Sequence, residues 1–184
     1  DISPEPIRQV AAYSTRGNHE RDEAVYYSNF SLPTQGEAGG LASGTEAYYS
    51  FDYANIHFVC LDSYLTSRLI GDPMYAWLEN DLATTSQDWM IAFWHHPPYT
   101  KGSHDSDLLE DSGGAMVEMR ERFLPLLESN GVDLVLSGHS HSYERSYLID
   151  GHYDLSLTWD PSIMLLDSGD GNQNGNGAYV KPYA

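Results

Sequence analysis

The chain has 184 residues, enough for one domain with a real core, and its 41% hydrophobic and 20% charged residues place it among globular rather than disordered proteins. Nine basic residues stand against 27 acidic ones, a net charge of −18, which excludes the basic footprint that nucleic acid or an anionic membrane surface requires. The longest apolar runs, such as "DLVLS" and "SIMLL", are far too short to cross a bilayer, and the single cysteine, Cys60, excludes an internal disulfide.

The opening "DISPEPIRQ" carries no signal-peptide pattern, which reads as a processed or truncated start. "VAAYST" is the first run with strand character, followed by "AYYSF" and "NIHFVCLD", in which Cys60 is expected to pack as a small hydrophobe. Asp72 and Pro73 form a cap and first-turn pair that starts a helix through "MYAWLENDLAT". "WMIAFW" is a strand. "GAMVEMRERFLPLLESNG" then sets Met116, Met119, Phe123, Leu126 and Leu127 on one helical face and stops at Asn130-Gly131, with Pro125 predicting a kink or an early end. "VDLVLS", "SYLID" and "SIMLLD" complete the strands, and "LIDGHYD" reads as a hairpin through Asp150-Gly151. Residues 31–46 and 100–114 are Gly-, Ser- and acid-rich loops expected near a site mouth. Strands mixed with helices over 1–184, without repeats, predict a single α/β layered domain.

In such domains functional groups gather at the carboxyl ends of strands. "VAAYSTRGNHE" finishes in Asn18 and His19, "WMIAFWHHPPY" in His95 and His96, and "VDLVLSGHSH" in His139 and His141. One histidine at a strand end is ordinarily a hydrogen-bonded core or surface residue. Five of the eight histidines in such places, with an asparagine beside them, instead suit a borderline ion such as zinc, iron or manganese. His139 and His141, two residues apart on a turn, can serve adjacent ions, and a two-ion site favours hydrolysis of a phosphate ester.

"GNHE" (17–20), "AFWHHPPY" (92–99) and "GHSHSYERS" (138–146), in this order and spacing, resemble the purple acid phosphatase branch of the calcineurin-like metallophosphoesterases, from about Val10 to the C-terminus. The resemblance implies an αββα fold, a two-sheet sandwich flanked by helices, with two metal ions at its rim: iron paired with zinc, manganese or a second iron. It implies Asn18, His95 and His139 as ligands of the second ion and His141 as a ligand of the first. His19 would hold the substrate phosphate or leaving oxygen, and His104 in "KGSHDSD" would protonate the leaving group. His96 would line the pocket, and Tyr143, Glu144 and Arg145 would brace the turn.

The family also carries two aspartate motifs and a tyrosine ligand upstream of "GNHE". Only 16 residues precede that motif here, and they contain neither "DxG" nor "GDxxY". The chain therefore reads as the C-terminal part of the catalytic domain, with weak or no two-ion catalysis by itself. A missing N-terminal segment or a second chain would complete the site. Asp62 and Asp167, which also end apolar runs, are read as turn caps beside their serines. "DGNQNG" (170–175) imitates the start of a calcium loop but meets Lys181 at the twelfth position, where glutamate belongs.

The expected function is metal-dependent hydrolysis of a small phosphomonoester by a metal-activated water, with no nucleic-acid or membrane partner. Two alternatives are kept: the same site acting on a phosphodiester or nucleotide, and a non-catalytic metal-binding remnant. The acidic composition and the family branch suggest a secreted or periplasmic location.

Overall fold

The structure, a computed structural model, describes residues 11–21 and 23–170 together with Asn176. In chain order its elements are α1 (Glu23–Asn29), β1 (Tyr49–Tyr53), β2 (Ile56–Cys60), α2 (Pro73–Thr84), β3 (Trp89–Phe93), α3 (Ala115–Glu118), α4 (Leu124–Ser129), β4 (Leu134–Leu136), β5 (Leu148–Ile149), α5 (Pro161–Met164) and β6 (Leu165–Asp167). β1 and β2 pair antiparallel, whereas β2, β3 and β4 run parallel in the order β1-β2-β3-β4. Parallel neighbours need a crossover. α2 provides the one between β2 and β3, and α3 with α4 provides the one between β3 and β4. The register, Cys60 opposite Phe93 and Phe93 opposite Leu136, brings three strand ends level.

Side chains alternate across this sheet. On one face Val59, Leu61, Ala92 and Trp94 join Met74, Leu78 and Leu82 of α2 and Met119, Phe123 and Leu127 of the second crossover in the main core. Burying each of the valine, leucine, methionine and phenylalanine side chains is worth about 1.5–3 kcal/mol. The opposite face carries Phe51, Tyr53, Phe58, Trp89, Ile91, Phe93, Leu134 and Leu136 by register. Tyr26 of α1 packs over its β1 side with Tyr49, Phe51 and Cys60, while Trp89 (52%), Leu134 (46%) and Leu136 (49%) stay exposed among the described residues.

Pro125 coincides with a break in the α-helical ladder of the second crossover: α3 ends at Glu118, and Pro125 stands in the first turn of α4. A π-helical turn over Met119–Phe123 joins α3 to α4 just before it. A proline ring collides with the carbonyl four residues back in an α-helix, and the wider turn makes room for it. The rod ends as expected at Gly131 (φ 77°), where Val132 N–H donates to Leu127 O at 3.0 Å.

Three expected elements differ. The described part of "VAAYST" forms no strand; it is held by side chains, with Thr15 Oγ1 donating to Leu61 O at 3.1 Å and Tyr49 Oη to Ser14 O at 2.7 Å. "LIDGHYD" is no hairpin, because β5 takes β6 as its antiparallel partner, 16 residues downstream. "SIMLLD" splits into α5, whose first turn Asp160 caps by accepting from Ser162 N–H, and β6. The 31–46 loop lies along β1 and α2 rather than at the strand ends: Ala38 O accepts from Asp52 N–H at 2.9 Å and Leu41 N–H donates to Asp81 at 2.8 Å.

Candidate metal centre

The level ends of β2, β3 and β4 lead directly into Asp62, His95 and His139. Trp94 N–H still donates to Leu136 O (3.1 Å) and Gly138 N–H to His95 O (3.0 Å), so the β3–β4 pairing continues into the histidines and holds them side by side. Gly17 brings the "GNHE" turn up against the β3 end. A Cβ there would fall 2.6 Å from the His95 ring, so only glycine admits this approach.

Three of the expected ligand atoms converge. His95 Nε2 lies 2.8 Å from Asn18 Oδ1 and 3.1 Å from His139 Nδ1. Ligand atoms held about 2.0–2.2 Å from one ion stand at such separations, so an amide oxygen and two imidazole nitrogens fit a borderline divalent ion here. The nitrogens of His96, buried beside them, fall with those of His95 and His139 in a set within 4.8 Å of one another. Ser63 ties His96 in place, its hydroxyl 2.9 Å from Nδ1 and accepting from His96 N–H at 3.0 Å.

His19 and His141 join none of these contacts; both side chains are exposed. They remain near enough that their charges disfavour protonation of His95. His139 (φ 66°) and His141 (φ 49°) both occupy the left-handed region, a strained conformation for non-glycine residues that concentrates at functional sites.

Burial first, and then the neighbouring imidazoles, lowers the pKa of the cluster: His95 falls, His139 drops to about 4 and His96 to about 3. Neutral imidazole is the form that ligates metal.

The 100–114 loop closes the site. His104 stacks on His139 with ring centroids 3.9 Å apart, and His104 Nδ1–H donates to Asp111 Oδ1 at 2.9 Å. Burial works against the Asp111 carboxylate's charge, but Asp105 N–H, His104 and the Ser112 hydroxyl hold its pKa at about 2. Ser112 Oγ donates to the same carboxylate (2.9 Å) and accepts from His139 Nε2–H (2.7 Å). Glu144 braces the loop from the "GHSHSYERS" turn, accepting from Thr100 Oγ1 at 2.5 Å and Lys101 N–H at 2.9 Å. Arg120, fully buried in the π-helical turn, clamps the loop's neck by donating from Nη1 to Pro98 O (3.1 Å) and Ser106 O (2.7 Å).

Asp62 is a structural residue. Its carboxylate accepts from Arg16 (2.6 Å), from the N–H groups of Tyr64 and Thr66, and from the Thr66 hydroxyl. Asp167 accepts from Gly169 N–H at 2.6 Å, as a turn cap. "DGNQNG" lies outside the described residues apart from Asp170. Sequence reasoning missed Asp111, one of several acids in its loop and unmarked by spacing.

Residues 3–143 match the Calcineurin-like phosphoesterase family. The chain belongs to that family. Its relatives place it in the purple acid phosphatase branch: it is 33% identical over 157 residues to Purple acid phosphatase 18 of Arabidopsis thaliana and 34% identical over 163 residues to Purple acid phosphatase 15 of the same plant. These alignments cover 77% and 83% of this chain but 32% and 28% of the relatives, so the chain spans about a third of their length. A solved purple acid phosphatase from yellow lupin (Lupinus luteus) seeds aligns over 68% of this chain and 24% of its own, at 23% identity and a TM-score of 0.43. Among the described residues no helix is long and apolar enough to cross a membrane.

Proposed function

We propose that the chain contributes to the hydrolysis of small phosphomonoesters at a two-ion centre. The observation that carries this reading is the meeting of Asn18 Oδ1, His95 Nε2 and His139 Nδ1, within 3.1 Å of the central atom, at the carboxyl end of a parallel sheet. Bound ions would neutralise phosphate charge and acidify a water to serve as nucleophile. Asn18, His95 and His139 would hold the second ion, and His141 would be a ligand of the first. His19 meets the phosphate or the leaving oxygen.

His104 donates the proton that the leaving oxygen needs. Asp111 fixes its Nδ1 at 2.9 Å, so Nε2 is the atom that carries this proton. The described residues offer the first ion no carboxylate free of structural duty at the strand ends. The reading therefore includes further polypeptide or a second chain as the source of those ligands. A secreted or periplasmic setting agrees with the acidic composition.

The test is turnover of a chromogenic phosphomonoester with iron, zinc or manganese added, by this chain alone and joined to an aspartate-bearing partner segment, with His139→Ala as control. Metal-dependent turnover lost in His139→Ala is expected. Metal-independent turnover, or none from a folded and completed protein, refutes the reading. Faster hydrolysis of a diester would move the substrate to the phosphodiester class.

A further inference from the structure

His139 offers its two ring nitrogens to two different neighbourhoods. Nδ1 meets His95 and Asn18, as above. Nε2 points the other way, 2.7 Å from Ser112 Oγ, which donates in turn to Asp111. On that side His104, Asp111 and His139 bring one ligand atom each to within 4.8 Å of one another. We propose that these three residues form a separate cation site, of the kind that takes a divalent ion such as Zn²⁺.

The donor set is two imidazoles and one carboxylate, which suits zinc in a site with an open position for water or substrate. Its shape is already present. His104 and His139 are stacked at 3.9 Å, and His104 Nδ1 and Asp111 Oδ1 are 2.9 Å apart. Behind Asp111 the backbone is left-handed at three residues in succession, Ser112 (φ 54°), Gly113 (φ 62°) and Gly114 (φ 81°). Serine does not adopt that conformation unless its surroundings impose it, and the imposed turn presents Asp111 and Ser112 to the histidines. His104 and Asp111 are both partly exposed, so an ion has an entry path. A net charge of −18 draws cations to the surface.

On binding, the ion takes the place of the proton between His104 Nδ1 and Asp111 and of the Nε2 proton that His139 gives to Ser112; both protons pass to solvent, and with the Asn18 site also filled His139 bridges the two ions as an imidazolate. Because His139 belongs to both neighbourhoods, the two occupancies are linked. Filling the loop site also removes His104 as a proton donor. The inference goes beyond the proposed function and stands whether or not the chain hydrolyses any ester, because its test reads binding.

The experiment is calorimetric titration of the chain with Zn²⁺, comparing wild type with Asp111→Asn and Asn18→Ala. Two binding events are expected. Asp111→Asn should weaken one at least ~10-fold, as expected for loss of a coordinating group, and Asn18→Ala the other. An unchanged isotherm in a folded Asp111→Asn, or both variants weakening one and the same event, overturns the proposal. Should Asp111→Asn misfold, acylation of the unmutated chain decides by mass spectrometry: Zn²⁺ protects His104 if the site exists, and equal labelling with and without Zn²⁺ overturns it.

Discussion

Gly17 and His95 touch so closely that the sequence separation of 78 positions leaves no room for a methyl group between them: a Cβ on Gly17 would sit 2.6 Å from His95 Nδ1 and Cε1 and 2.9 Å from Cγ. The glycine of "GNHE" thus sets the orientation of an imidazole on another strand end. Gly17→Ala is expected to push the His95 ring off Asn18 and weaken binding of the ion between them by about 10-fold or more. Calorimetric titration with Zn²⁺ checks this, and affinity equal to wild type would show that the ring has another way to keep its place.

The left-handed backbone at His141 (φ 49°) has a price in stability. Its side chain is exposed, so little packing is lost on truncation. His141→Gly should stabilise the metal-free chain by roughly 1 kcal/mol, within the ~1–3 kcal/mol typical of such strain. Urea denaturation with chelator present measures it. Destabilisation would mean that His141 makes a contact worth more than its strain.

Stability should fall on both sides of neutrality, for opposite reasons. Burial lowers the pKa of His57, but hydrogen bonds and charges from Asp81 (2.8 Å) and Asp52 (2.7 Å) outweigh it, and the net shift is upward. A raised folded pKa gives stability that is complete below the unfolded value, about 6.5, and is lost as pH rises through the folded one. His96 (about 3) and His139 (about 4) are depressed, so their contribution is present above about 6.5 and is lost as pH falls toward those values. Denaturation midpoints across pH, compared with His57→Gln, test the alkaline arm. That variant should flatten the arm, and an unaltered arm assigns it elsewhere.

Arg120→Met should loosen the loop that bears His104. The substitution removes both hydrogen bonds to Pro98 O and Ser106 O, an expected cost of about 1–3 kcal/mol, while also relieving the core of a buried charge. Hydrogen exchange over residues 98–106 should accelerate more than exchange in β2 or β3. Uniform acceleration would mark Arg120 as a general core residue instead of a clamp.

Much of this is legible in the sequence alone. The Asp72-Pro73 start of α2 and the Gly131 stop follow from local chemistry that tertiary contacts do not override. The convergence of Asn18, His95 and His139 was legible because each follows a strand-like run with the same polarity. The "LIDGHYD" hairpin failed because β5 found its ladder in β6, a choice that no local turn reveals. Pro125 signals the break between α3 and α4, whereas the π-helical turn that bridges it, with Met119 and Phe123 buried in the core, has no local sequence signal. Asp111 was invisible because its role depends on three left-handed residues after it, only two of which are glycines.

The partly bare sheet face has a practical consequence. Among the described residues β4 is an edge strand of three residues with two exposed leucines, and Trp89 is exposed on the neighbouring β3. Such a rim invites stacking of one copy upon another. Concentrated solutions of the 184-residue chain should therefore sediment as mixed oligomers, and a lysine in place of Leu134 should return them to monomers.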